Sequence, residues 1–136
     1  MEYGGFVARL DECSLGVVHA LQVPMEVLML TGDERAQREK ELVAGALEHV
    51  RALPVVGELG ERAQIFVGRD TPSHAIGSVA EKLDPDLVVM GTISRGGIAG
   101  MLVGNTAERL LYQLDCSILT VKPEDFGCPV DLEKIG

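Results

Sequence analysis

Along the chain, short apolar runs alternate with stretches in which apolar residues recur every three or four positions, and each predicts an element. Leu15 to Ala20 (Leu-Gly-Val-Val-His-Ala) is a compact, β-branched run suited to a strand buried on both faces, followed by a loop through Pro24. From Gly32 the period changes. Leu42, Val43, Ala46, Leu47, Val50 and Leu53 keep helical spacing, Glu39, Glu41, Glu48 and Arg51 occupy the other side, and Pro54 stops the pattern. Gln64 to Val67 reads as a second strand, ended by Gly68-Arg69-Asp70. Thr71-Pro72 supplies a hydroxyl N-cap and a first-turn proline, which needs no N–H there; Ile76, Val79, Ala80 and Leu83 form the buried stripe of the helix that follows. After the turn-like Asp84-Pro85-Asp86, Leu87 to Met90 is a third strand. A glycine-rich loop from Gly91 to Gly104 leads into a helix with Ala107, Leu110, Leu111 and Leu114 on one side. Ser117 to Val121 is the last strand, ended by Pro123, and 124–136 is an irregular tail.

Strand and helix in strict alternation imply right-handed parallel crossovers and an α/β fold with a doubly wound, open parallel sheet. One feature is odd. Such sheets begin with a strand, yet Gly4-Gly5 followed by Phe6, Val7, Leu10 and Cys13 fits the end of a helix, so the chain reads as starting in mid-fold.

Composition narrows the function classes. At 136 residues, with 46% hydrophobic and 24% charged, residues 1–136 read as a single domain. No run approaches the ~20 apolar residues that a bilayer span needs, and Met1-Glu2-Tyr3-Gly4-Gly5 lacks an export leader, so the expectation is a soluble, cytoplasmic chain without a membrane partner. A formal charge of -9 repels a phosphate backbone, which makes nucleic acid an unexpected partner. Cys13, Cys116 and Cys128 lack paired spacing and read as reduced thiols; His19, His49 and His74 have no His or Cys at metal-ligand spacing. His19 reads as a structural imidazole within its strand, and Asp70 as a turn-forming carboxylate.

Ligands of open α/β sheets sit beyond the carboxyl ends of the strands, and the loop from Gly91 to Thr106 lies at such a place. It is not a Walker loop, because Gly97 stands where the lysine should be, and GxGxxG is absent. Backbone N–H groups, Asn105 and the Thr106 hydroxyl could still meet an anion there, with Arg95 supplying charge. The plainer reading is that the glycines permit a tight turn and a close helix-to-sheet contact. Arg95 is the only charged residue between Asp86 and Glu108, which leaves no acid/base pair or activated nucleophile for catalysis, so no enzyme is expected.

At this loop the sequence resembles the universal stress protein family. Its pattern is a glycine, two residues, a second glycine, nine residues, then glycine with Ser or Thr, directly after a strand reading Asp-Leu-Val-Val-Met. Asp86-Leu87-Val88-Val89-Met90-Gly91 matches the strand and first glycine, Ser94 takes the second glycine position, and Gly104-Asn105 the final pair. Gly104 to Glu108, Asp115 to Pro123 and Phe126 to Pro129 are similar to the C-terminal half of the tandem-domain, E-type members.

The resemblance implies an adenine nucleotide alpha hydrolase-like sheet of order 3-2-1-4-5. It also implies a stress-response regulatory module that binds ATP or ADP, with Mg2+ as a further option, rather than a strong catalyst. Family binders hold nucleotide with backbone matching Met90 and Gly91, phosphates along positions matching Ser94, Gly104, Asn105 and Thr106, and adenine beside a position matching Ala20. Three departures bear on this. Ser94 adds a Cβ where backbone approaches the ligand, Asn105 replaces a hydroxyl, and the first strand with most of the first helix is missing. Leu15 to Ala20 corresponds to the family's second strand, so the central position of the sheet would be filled by strand exchange with a second copy or by direct pairing of Leu15–Ala20 with Leu87–Met90. A homodimer through Ser117 to Val121 is also implied. The alternative is an interaction and dimerisation module of the same fold that binds no nucleotide.

Overall fold

The computed structural model describes residues 2–91 and 104–122. Its elements run α1 (Glu2–Leu10), β1 (Leu15–Ala20), α2 (Met25–Leu28), α3 (Gly32–Arg51), α4 (Pro54–Leu59), a 3-10 turn (Gly60–Arg62), β2 (Ala63–Gly68), α5 (Pro72–Leu83), β3 (Leu87–Gly91), α6 (Asn105–Leu111) and β4 (Ser117–Val121). The chain opens in a helix, as its first residues imply, and the four expected strands form in order. The tail 124–136 lies outside the described residues. No helix among the described residues is long and apolar enough to cross a membrane.

All pairing is parallel. β1 pairs with β2, from Leu15 opposite Ala63 to Ala20 opposite Gly68, and β3 pairs with β4, from Leu87 opposite Ser117 to Gly91 opposite Val121. By the family resemblance, they correspond to the pairs 3-2 and 4-5 of the 3-2-1-4-5 order. Each strand has one ladder partner among the described residues, and the direct pairing of Leu15–Ala20 with Leu87–Met90 is not one of these ladders. Contacts divide the chain into two units, Met1–Pro85 and Asp86–Gly136.

In the first unit, helices cover both faces of β1 and β2. A Cβ built on Gly16 would stand 2.6 Å from Leu83 Cδ1, and one on Gly68 2.8 Å from Ala75 Cβ, so the even-numbered positions face α5. Odd-numbered Leu15 and Ala63 instead pack against Ala8 of α1 with Val55 and Leu59 of α4, and His19 looks toward α3. Period-two alternation thus splits one short ladder between two helical layers. Leu42, Val43, Ala46, Leu47, Val50 and Leu53 all lie on the covered side of the α3 region, with Val50 buried.

Three local expectations are corrected. Pro54 does not merely stop a helix: α3 ends at Arg51, and Pro54 opens α4 at a position where its missing N–H costs nothing. Thr71 takes the N-cap position of α5, but its hydroxyl makes no bond to a helix N–H and lies 3.4 Å from the Ser73 hydroxyl instead. Finally, the α5 stripe is only partly buried: Val79 and Ala80 are buried with Ser73 and Ala75, whereas Ile76 is half-buried and Leu83 is exposed.

In the second unit, α6 buries Ala107 and Leu110; Leu110 is wholly inaccessible, while Leu111, expected on the same side, is exposed. Seven residues make only two turns. Such a helix covers a narrow stripe, and Leu111 falls beyond it.

Candidate functional site

The candidate residues of the second unit cluster at two places along its chain. Met90 and Gly91 end β3, opposite Thr120 and Val121 of β4, with Met90 half-buried and Gly91 exposed. Among the described residues, nothing stands within 4 Å of the point a Gly91 Cβ would occupy. Packing among the described residues therefore does not demand a glycine here.

Gly104 is the N-cap of α6, in extended conformation, and its carbonyl accepts the Glu108 N–H at 2.9 Å. No side chain caps this end among the described residues. The first-turn N–H groups of Asn105, Thr106 and Ala107 have no acceptor within the helix by geometry, so they carry partial positive charge outward. Asn105 is exposed and Thr106 half-buried, which leaves an amide and a hydroxyl beside those donors. No carboxylate occurs at these positions, and the donor set suits phosphate oxygens.

Ala20 belongs to the first unit. It ends β1 opposite Gly68, half-buried, and the next residue's N–H, that of Leu21, donates to the Gly68 carbonyl at 2.7 Å. Ser94 and Arg95 lie outside the described residues. Five of the eight expected nucleotide-binding positions thus belong to the described part of one unit, and Ala20 is described with the other.

The first unit also carries paired polar groups on the side of α3 that the apolar period leaves to Glu39 and Glu41. Glu39 of α3 accepts from Arg35 Nε at 2.7 Å and from Arg69 NH1, just after β2, at 2.8 Å. The Arg35 hydrogen bond, followed by the charges of Arg35 and Arg69, holds the Glu39 carboxyl below its ordinary range against the opposing effect of partial burial. Hydrogen bonds from Arg38 and Gln37 lower Glu41 in the same way. The Arg35–Glu39 spacing of four was the legible signal; Arg69 was not, since it joins from another element. Asp70, expected as a turn residue, lies 3.1 Å from His74 Nδ1. A groove of about 460 Å³ runs between His19 and Leu21 on one side and Leu42, Ala46 and His49 of α3 on the other. Cys13 is exposed and Cys116 half-buried, both as free thiols. Among the described residues no cluster of three or more His, Cys, Asp or Glu could hold a metal ion.

With this geometry in place, comparison with known proteins gives a consistent result. Residues 1–122 match the model of the universal stress protein family. Universal stress protein E of Escherichia coli K12 is 39% identical over 67 residues, covering 49% of this chain and 21% of that protein, so the chain matches about a fifth of that relative's length. Among solved structures, a universal stress protein from Pseudomonas aeruginosa is similar with a TM-score of 0.60 and 29% identity, covering 91% of this chain and 40% of that one. A universal stress protein solved in complex with cAMP shares the fold, with a TM-score of 0.53 and 17% identity over 87% of this chain and 80% of its own. The chain belongs to the universal stress protein family.

Proposed function

We propose that this chain is a regulatory module of its family that binds an adenine nucleotide, ATP or ADP, without turning it over appreciably. The observation that carries the reading is the pairing of two features within the second unit. Among the described residues, no atom crowds the Cβ position of Gly91 at the end of β3, and no side chain caps the first N–H groups of α6, which Asn105 and Thr106 flank. Met90 and Gly91 would contact the nucleoside through backbone, and Gly104, Asn105 and Thr106 would hold phosphate oxygens. Ser94 and Arg95 would extend that contact along the loop, and Ala20 would border adenine. Mg2+ would arrive with the nucleotide, bound by phosphates. A relative of the same fold solved with cAMP supports an adenine-containing ligand class. Bound nucleotide would act by favouring one conformation or assembly, the cytoplasmic homodimer through β4 being the proposed assembly.

The test is equilibrium dialysis and thermal shift with ATP, ADP and cAMP at millimolar concentration, with and without Mg2+. Saturable binding and a rise in Tm are expected. No retention and no shift with any of the three would overturn the nucleotide reading. The interaction module without nucleotide is the second reading. It is favoured by the departures at Ser94 and Asn105 and by the apolar residues exposed on α1, Tyr3, Phe6 and Leu10.

A further inference from the structure

α2 is a single turn that presents sulfur to water. It follows β1 after Leu21-Gln22-Val23-Pro24, and its backbone bonds close it firmly. The Val27 and Leu28 N–H groups donate to the Pro24 carbonyl at 3.0 and 3.1 Å, and the Met29 N–H donates to the Met25 carbonyl at 3.0 Å. Val27 is buried, and α2 packs against α3. Four positions separate Met25 from Met29, so the closed turn sets both side chains on one flank. They are 67% and 78% exposed, and Leu28, three residues from Met25, extends the same apolar surface at 41%.

Methionine ordinarily fills irregular gaps in a core. Met90, within β3, is half-buried; Met25 and Met29 serve no interior. Their sulfur lone pairs are therefore within reach of small oxidants. A sulfoxide formed there would be hydrated at once, whereas one formed in packed surroundings would be a polar group deprived of water. The turn itself rests on backbone bonds and Val27, none of which involves a sulfur atom.

We propose that Met25 and Met29 form a paired modification site for peroxides, oxidised in the folded protein to methionine sulfoxides and restored by a dithiol-dependent sulfoxide reductase. In the forward step a sulfur lone pair attacks a peroxide oxygen, the O–O bond breaks, an S–O bond forms and water leaves; the sulfur loses two electrons and the peroxide gains them. In the return step two thiols of the reductase become a disulfide, and the sulfoxide oxygen departs as water. The fold persists through both steps. What changes is the flank formed by Met25, Leu28 and Met29, apolar when reduced and polar when oxidised. The site lies in the first unit and does not depend on nucleotide.

Titration of the full chain with hydrogen peroxide, followed by peptide mass mapping, tests the proposal. Met25 and Met29 should be oxidised about tenfold or more faster than Met90. Tm should move by no more than about 3 °C as they react, because both positions are exposed. Retention on a phenyl column should fall, and sulfoxide reductases of both epimer specificities, supplied with dithiothreitol, should restore both residues and the retention. Met25→Leu with Met29→Leu keeps Met1, Met90, Met101 and every cysteine, so peroxide should no longer shift the retention of that double variant. Oxidation of Met25 and Met29 no faster than that of Met90 would overturn the proposal. So would sulfoxides that resist the reductases in the folded chain, a retention change that survives in the double variant, or a loss of Tm on oxidation that the double variant escapes.

Discussion

The two parallel strand pairs use glycine for opposite purposes. In the first unit Gly5, Gly16 and Gly68 are glycine because Val55, Leu83 and Ala75 already fill the space a Cβ would need. In the second, Gly91 stands at a strand end where no described atom competes for that space. Packing explains the first set. Among the described residues it does not explain Gly91, and a residue that packing does not require is a better guide to a ligand than one it does.

This contrast can be broken most severely through Leu110, the side chain that seats α6. Leu110→Ala should lower stability by about 2–5 kcal/mol in urea unfolding, and protection by ATP should fall with it because the α6 donors lose their placement. Gly68→Ala should cost roughly 1–3 kcal/mol by forcing β2 from Ala75, while the folded protein's ATP affinity in dialysis stays unchanged. Gly91→Ala should do the reverse: stability within ~0.5 kcal/mol of the parent, and ATP binding weaker by about tenfold or more. A large stability loss with intact binding would show that Gly91 serves packing after all.

The smallest effect belongs to pH. Because Glu39 is held below its ordinary range, the stabilisation from its Arg35 and Arg69 bonds is fully present above the ordinary carboxylate pKa, about 4, and is lost as pH falls through the lower folded value. Glu39→Gln should flatten that acid limb of the Tm-against-pH curve and leave Tm near neutrality little altered, since exposed pairs contribute weakly in salt.

The strands and the covered face of α3 were legible because apolar spacing records burial directly, and Leu42 to Leu53 are covered as their period implies. Short helices were not. α2 and α4 run for four and six residues, too few for a period to declare itself. Leu83 and Leu111 misled for a related reason: hydrophobicity marks a candidate for burial, while the width of the neighbouring surface decides which candidates are covered. At the candidate site, Met90, Gly91 and Gly104 to Thr106 were found as a strand end and a helix start, because glycine and backbone geometry leave sequence marks. The Arg69–Glu39 bond left none, since it joins residues thirty positions apart.

The close seat of α1 has a mechanical consequence. With backbone against Val55 at Gly5, the helix is keyed to its neighbour, and turning it by a single residue would drive a full side chain into that contact. Its aromatic side cannot be swivelled inward to hide from water, so the chain can soften that greasy exterior only by changing residues or by acquiring a companion.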